Sequence, residues 1–360
     1  MERISQTRIK GRGAVTNPAG RFEKLQTVPV DDGWSTCDEP EPRLDTVVRP
    51  EKPCRIISTN DSPDIPFGRS VNPYKGCEHG CVYCFARPSH SYLGLSPGLD
   101  FETQIFSKPD AGDLLREAFE HPSYVPEVIA LGANTDPYQP TEKKLWITRD
   151  LLEVFLEYRH PVSIITKSTT ILRDSVLLEA LAKQDLVHVY LSVTTLDSEL
   201  ARRMEPRASS PGGRLRVLGV LSEIGVSTGV LTSPMIPGLN DWEMERILEA
   251  ASEAGATHAG YTMLRLPHEL KGLFESWLDA NYPERAQKVL NGIRGIRGGA
   301  LNTAEYDSRM HGSGPYAELI GKRFAAGVKR FGLNKTQRNL RTDLFERPEK
   351  SGHQMSLFAG

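Results

Sequence analysis

The chain has 360 residues, with 44 lysines and arginines against 46 aspartates and glutamates, a net charge of −2 and 39% hydrophobic residues. That length suits one large domain with extensions around a substantial core, and the balanced charge sets up no global field that would select a partner of either sign. No apolar run approaches the roughly 18 residues a membrane helix needs, and the polar N-terminal stretch has no secretory apolar segment, so no membrane partner is expected and a cytoplasmic location is.

Residues 1–60 show no periodicity. They begin basic (Arg3, Arg8, Lys10, Arg12, Arg21, Lys24) and turn acidic and proline-rich through Asp31-Asp32 and Asp38-Glu39-Pro40-Glu41-Pro42. This composition predicts an irregular N-terminal extension without its own core, draped over the main domain. Cys37 and Cys54 fall here with no close partner cysteine and read as plain thiols.

Residues 61–265 are expected to form the core domain. Short β-branched or apolar runs at 128–131, 162–166, 187–191, 226–231 and 258–263 alternate with helical periodicity near 111–120, 143–159, 173–184, 213–224 and 241–254. Asp174 and Asp241 suit N-caps, and Gly225 and Gly255 suit C′ positions. Strands recurring every ~25–40 residues with helices between them are βα units, hence a parallel sheet. With one more strand before the first clustered cysteine there are about six units, fewer than the eight of a closed barrel. The predicted architecture is a partial (β/α)6 TIM-like barrel, with an open doubly wound sheet as the alternative.

In both architectures chemistry gathers at the carboxyl ends of the strands. The cysteine loop, residues 132–142, Lys167-Ser168, residues 192–195 and residues 233–238 all fall there. Asn134, Tyr138, Tyr261 and Arg265 are expected to line the opening of a shared pocket. Residues 266–345 read as a helical, partly basic region, with helices near 269–280, 284–294 and 316–330. Lys322, Arg323, Lys329, Arg330, Lys335, Arg338 and Arg341 precede Asp343, with Phe324, Phe331 and Asn339 among them. Such a run is a solvated helix face or a phosphate-contacting surface. Residues 346–360 are expected to be a flexible tail.

Three of the five cysteines crowd into Cys77-Glu78-His79-Gly80-Cys81-Val82-Tyr83-Cys84, a C-x3-C-x2-C triplet. An odd total with this crowding suits a metal site better than disulfides. Thiolates are the soft ligands of iron–sulfur clusters and of zinc. Three ligands leave a site incomplete: either a cubic cluster keeps one iron open, or a zinc ion takes His79 or His90 as its fourth ligand. Zinc sites usually pair two ligand knuckles separated in sequence, and the chain has no second knuckle.

The triplet, with aromatic Tyr83 before the last cysteine, resembles the signature of the radical SAM superfamily. The resemblance implies that Cys77, Cys81 and Cys84 hold a [4Fe–4S] cluster whose open iron chelates S-adenosylmethionine. It also implies an electron donor such as flavodoxin or ferredoxin, and reductive cleavage of the sulfonium to a 5′-deoxyadenosyl radical. The cofactor supplies the hard chemistry and the protein positions it.

Over roughly residues 70–240, several motifs look like the spore photoproduct lyase branch, which repairs a UV-linked thymine dimer in DNA. They are Thr135-Asp136, Ile164-Ile165-Thr166-Lys167, Leu191-Ser192-Val193, Met204-Glu205-Pro206 with Arg214, and Gly229-Val230-Leu231-Thr232-Ser233-Pro234-Met235. By that resemblance Thr135, Lys167 and Ser192 contact S-adenosylmethionine, Tyr83 and Asp136 belong to the same cofactor site, and Glu205 and Arg214 brace the pocket or its ribose side.

Two departures matter. The lyases carry a hydrogen-donating cysteine in the second-strand loop, where this chain reads Gly132-Ala133-Asn134-Thr135-Asp136. They also place a tyrosine on each side of the last cluster cysteine, where this chain has Tyr83 and Phe85. Photoproduct lyase activity itself is therefore not expected, and the chain resembles a bacterial relative of that branch.

Near the C-terminus, Gln354-Met355-Ser356-Leu357-Phe358 resembles the Q-x-x-L-F peptide that docks bacterial repair and replication proteins on the sliding clamp, with Gln354, Leu357 and Phe358 as anchors. The expected function is a radical SAM enzyme acting on nucleic acid, in DNA repair or modification. The alternatives are a radical SAM enzyme acting on a protein side chain or small metabolite, and a zinc-stabilised binding module without turnover.

Overall fold

The computed structural model describes residues 9–23, 44–335 and 339–348. Cys37, Lys24, Arg338 and the clamp-like tail lie outside the described residues. Among the described residues, ten strands form two sheets: β1 (Val47–Pro50), β2 (Ile57–Thr59), β3 (Arg69–Val71), β4 (Tyr74–Lys75), β5 (Gln104–Ser107), β6 (Ile129–Leu131), β7 (Val162–Thr166), β8 (Val187–Ser192), β9 (Ser227–Met235) and β10 (His258–Met263). The main sheet runs β10-β9-β8-β7-β6-β3-β2. From β3 to β10 every neighbouring pair is parallel, and β2 adds an antiparallel edge.

This strand order advances in one direction and never reverses. A doubly wound sheet needs a reversal, where its crossovers change face, so the structure is the partial barrel of six parallel strands. Among the described residues, β10 pairs only with β9, and the barrel stays open beyond it. Strands β7 and β8 bury alternate residues, and their partners on the helices are Leu151, Leu152, Val154 and Phe155 of helix Ile147–Glu157 and Leu178 and Leu181 of helix Ser175–Ala182. These side chains belong to one core cluster between sheet and helices.

Four expectations about local structure need correction. Within the N-terminal stretch read as irregular, Val47–Pro50 pairs with β5 and Ile57–Thr59 with β3. Neither short strand has enough alternation to signal itself before a neighbour is present. The helix expected over 143–159 breaks at Trp146, whose φ is +60°. The cause is Glu142, which is buried against Tyr74 and Arg173 and accepts the Thr148 N–H at 3.1 Å, so its carboxylate caps a second helix start.

Asp174 stands at an N-cap position but caps nothing, because its carboxylate is engaged by Tyr138, Arg149 and Arg173. Asp241 accepts the Gly238 N–H at 3.1 Å and the Tyr316 hydroxyl rather than opening a long helix. In the basic region, helix Pro315–Phe331 exposes Lys322, Lys329 and Arg330, while Arg323 is paired with Glu245 and Arg341 with Asp343.

Candidate active site

The carboxyl ends of the parallel strands surround a cavity of about 450 Å³. Cys77, Cys81 and Cys84 line it together with Tyr83, Thr135, Asp136, Lys167 and Ser192. The topology thus brings together residues from four strand-end loops that are far apart in the chain. Asn134, Tyr261 and Arg265 of the expected opening also line it, and Tyr138 does not. Tyr138 is fully buried, with its hydroxyl on Asp174 at 3.1 Å, because the Asp136 carboxylate accepts its N–H and turns the ring inward.

The cysteine loop is held mainly by backbone contacts. Cys77 donates its N–H to Phe101 O at 2.9 Å, Val82 donates to Met204 O at 3.0 Å, and Arg207 donates to His79 O at 3.3 Å. Gln139, from the second-strand loop, accepts the Glu78 N–H at 2.9 Å and donates to Gly76 O at 3.1 Å. Arg87 is fully buried and donates to Cys81 O at 2.8 Å and to Gly80 O at 3.1 Å, while pairing with Glu102.

The N-terminal arm completes this support. Gly13 and Ala14 donate their N–H groups to Glu102 at 3.0 and 2.8 Å, so the buried carboxylate is matched by one cation and two amides. A Cβ at Gly13 would lie 1.8 Å from Gly80 O, which makes glycine the residue that lets the arm approach the cysteine loop.

Beneath the cavity Glu205 and Arg214 form a buried ion pair. Glu205 also accepts from the Tyr83 and Thr194 hydroxyls, and Arg214 donates to Ser192 O at 2.9 Å and Ser209 O at 2.8 Å. Neither residue lines the cavity. They reach it through Tyr83 and Ser192, which do. Lys167 lies 6.0 Å from the centroid of the Tyr83 ring. Thr135 donates its hydroxyl to Tyr74 O at 2.9 Å.

Asp136 is an organiser. Its carboxylate accepts from the Thr166 hydroxyl and the Lys167 N–H, both at 2.7 Å, and faces His79 Nδ1 at 3.2 Å. Burial pushes Asp136 up, but His79 and these hydrogen bonds bring it down to about 2. Burial, followed by the charges of Asp136 and the neighbouring thiols, raises Cys77 well above the ordinary thiol range. Burial likewise raises Cys81, with Lys167 pulling the other way.

Sequence reasoning missed the far wall. Asp64 and Pro66 enter it from the loop after β2, Met310 and His311 from the helical region, and Phe85 from beside the last cysteine. None of these positions carries a motif. Only the change from tyrosine to phenylalanine at Phe85 was visible beforehand.

Residues 71–251 match the profile of the Radical SAM superfamily. The chain belongs to that superfamily. It is 35% identical over 247 residues to an uncharacterised protein of Mycobacterium tuberculosis, which covers 68% of this chain and 73% of that one. An uncharacterised protein of Methanocaldococcus jannaschii is 27% identical over 221 residues, 61% of this chain and 79% of its own. Among solved structures, spore photoproduct lyase shares the fold, with a TM-score of 0.53 at 14% identity over 79% of this chain and 80% of that chain. The same enzyme complexed with dinucleoside spore photoproduct aligns equally, at 13% identity.

As a radical SAM protein the chain is an enzyme that uses a [4Fe–4S] cluster and S-adenosylmethionine and needs an electron donor. The donor set fits such a cluster. Three soft thiols face one cavity, the donor set that such a cluster takes. Among the described residues no group of three or more His, Cys, Asp or Glu side chains is arranged to hold a single metal ion. His90, offered as a zinc ligand, is away from the cavity with Nε2 on Gln104 O at 3.0 Å. His79 lines the cavity with Nδ1 held by Asp136.

Proposed function

We propose that this radical SAM enzyme acts on nucleic acid, with DNA as the first substrate class, in repair or modification. Cys77, Cys81 and Cys84 would hold the cluster, and Tyr83, Thr135, Asp136, Lys167 and Ser192 would enclose the cofactor, with Glu205 and Arg214 fixing Tyr83 and Ser192 from below. When bound, the cluster and S-adenosylmethionine supply one-electron radical chemistry. The chain's own residues orient the cofactor, exclude water and present the substrate.

The observation that carries the reading is Phe85. This phenylalanine lines the cavity yet is 45% exposed, with the Arg265 guanidinium 5.6 Å from its ring centroid. An aromatic platform beside a cation is how unstacked nucleotides are held, each base contributing about 1–3 kcal/mol by stacking. The fold shared with spore photoproduct lyase, which was solved with a dinucleoside spore photoproduct, is compatible with the same substrate class. The second-strand wall offers Gly132 to Asp136 and no thiol, so the reaction would differ from photoproduct cleavage. The electron donor would be a flavodoxin or ferredoxin of the cytoplasm, and Gln354, Leu357 and Phe358 would dock a sliding clamp.

Anaerobic reconstitution followed by reduction with S-adenosylmethionine tests this. Formation of 5′-deoxyadenosine should rise with a DNA pool, with Phe85→Ala losing that stimulation while keeping the basal rate. Stimulation by peptides or metabolites alone would overturn the reading. In the same preparations, clamp pull-down should disappear when Leu357→Ala is combined with Phe358→Ala.

A further inference from the structure

Arg265 follows β10 and lines the cavity, and its Nε is buried without a hydrogen-bond partner. Its Nη1 reaches only the Met310 thioether, at 3.6 Å, and sulfur there is a weak acceptor. Among the described residues no carboxylate forms an ion pair with it. The acidic side chain at this wall, Asp64, is already engaged by two nitrogens of Arg309.

Behind Arg265 lies a third guanidinium, Arg297, which donates to Leu264 O at 2.7 Å and to Ser308 O at 2.5 Å and also has an unpartnered buried Nε. Of these three arginines, only Arg309 is paired with a carboxylate among the described residues. The bond from Arg297 to Leu264 O anchors the backbone just before Arg265. A partly buried guanidinium with donors left open is unfavourable until an oxyanion fills them, and its planar fork matches a phosphate or carboxylate.

Two oxyanions could come here, the carboxylate of S-adenosylmethionine or a phosphodiester of the substrate. Lys167 already provides a cation beside Tyr83, whereas Arg265 stands with the solvent-facing Phe85. We propose that Arg265 is the receptor for one phosphodiester of the bound strand, placed so that the adjoining base stacks on Phe85. This rests on the nucleic-acid reading above.

The test uses the reconstituted full chain and a fluorescent single-stranded oligodeoxynucleotide, titrated at several salt concentrations. R265Q should bind roughly tenfold more weakly or worse, as expected for losing a charge-assisted hydrogen bond. Its slope of log K against log salt should shrink by about 0.7, the share of one single-strand phosphate. R265K should keep the slope but recover only part of the affinity, because a point charge lacks the fork. A methylphosphonate at the contacted position should weaken the wild type and leave R265Q unaffected. Cluster absorbance and affinity for S-adenosylmethionine should be unchanged in both variants.

If R265Q binds the oligonucleotide with wild-type affinity and slope, the Arg265 assignment fails while the nucleic-acid reading stands. If R265Q instead loses affinity for S-adenosylmethionine with DNA binding intact, the guanidinium serves the cofactor and the proposal is overturned. If the wild type binds no oligonucleotide, the nucleic-acid reading itself falls. Should R265Q lose its cluster absorbance, R265K decides, since an unchanged affinity in that variant overturns the role of the fork.

Discussion

At the carboxyl ends of the parallel strands, thiols, carboxylates, guanidiniums and hydroxyls surround a cavity of about 450 Å³. At the amino ends, Phe119, Tyr124, Phe155, Tyr158, His160 and Phe345 form a solid aromatic plug, with Phe119 stacked on His160 at 4.4 Å between centroids. The chain itself seals that plug, as Phe345 packs on it and Arg347 donates to Phe119 O at 2.9 Å. One end therefore stores unsatisfied donors and crowded charge, and the other contains a neutral, close-packed interior. In parallel barrels chemistry belongs to the first end and stability to the second. Variants at each end should separate the two properties.

The largest separation is expected at the cluster. Cys77→Ala should lose bound iron, the visible absorbance of the reconstituted protein and all cleavage of S-adenosylmethionine, while its far-ultraviolet circular dichroism stays that of the wild type. Iron analysis after anaerobic reconstitution checks this, and full iron retention in the variant would remove Cys77 from the ligand set.

Glu205 and Arg214 are the exception that sharpens the contrast, because they combine the charge of one end with the saturation of the other. Removing one partner strands a buried charge, so Glu205→Gln should lower stability by about 3–5 kcal/mol in urea unfolding. Combining Glu205→Gln with Arg214→Met should recover most of that loss. A single variant with an unchanged urea midpoint would show that the pair is not closed as described.

The difference between the two ends also explains what could be read from the sequence. The βα alternation was legible because strands such as Val162–Thr166 and helices such as Ala111–Glu120 carry their own periodicity. The cysteine triplet was legible because its three ligands are close in sequence. Tyr83, Thr135, Asp136, Lys167 and Ser192 could be nominated from a family resemblance, and strand-end geometry brings them to one cavity.

Asp64, Met310 and His311 could not be read this way. They reach the cavity only because the open side of the barrel brings the loop after β2 next to the helical region, 245 residues on, where Arg309 meets Asp64. Tyr138 was misassigned because strand-end position says where a residue starts and nothing about which way a hydrogen-bonded loop turns it. The plug was equally illegible, since its rings come from two helices, the loops that follow them and the returning C-terminal segment.

The smallest effect belongs to His160, and it probes the closed end alone. Its Nδ1 faces Pro161 O at 3.0 Å and must donate there, so Nε2 accepts the Tyr124 hydroxyl at 2.8 Å. Burial lowers its pKa to about 3, with the Pro161 carbonyl working against that shift and the charge of Arg69 adding to it. The titratable and charged groups facing it are Tyr124 and, across the Tyr124 ring, Arg69. The folded pKa lies below the unfolded value of about 6.5, so between those values the unfolded chain binds a proton that the folded chain refuses. Stability should then fall with acidity in that window by up to about 1.4 kcal/mol per pH unit, and be unaffected above it. His160→Phe removes this term but also two hydrogen bonds, so it should be less stable at pH 7, with its deficit narrowing as the pH drops from 6.5 towards 4.5. Paired urea titrations at several pH values measure the gap. A constant or widening gap would mean that His160 can be charged in place, and the neutral plug would no longer set this end apart from the cavity.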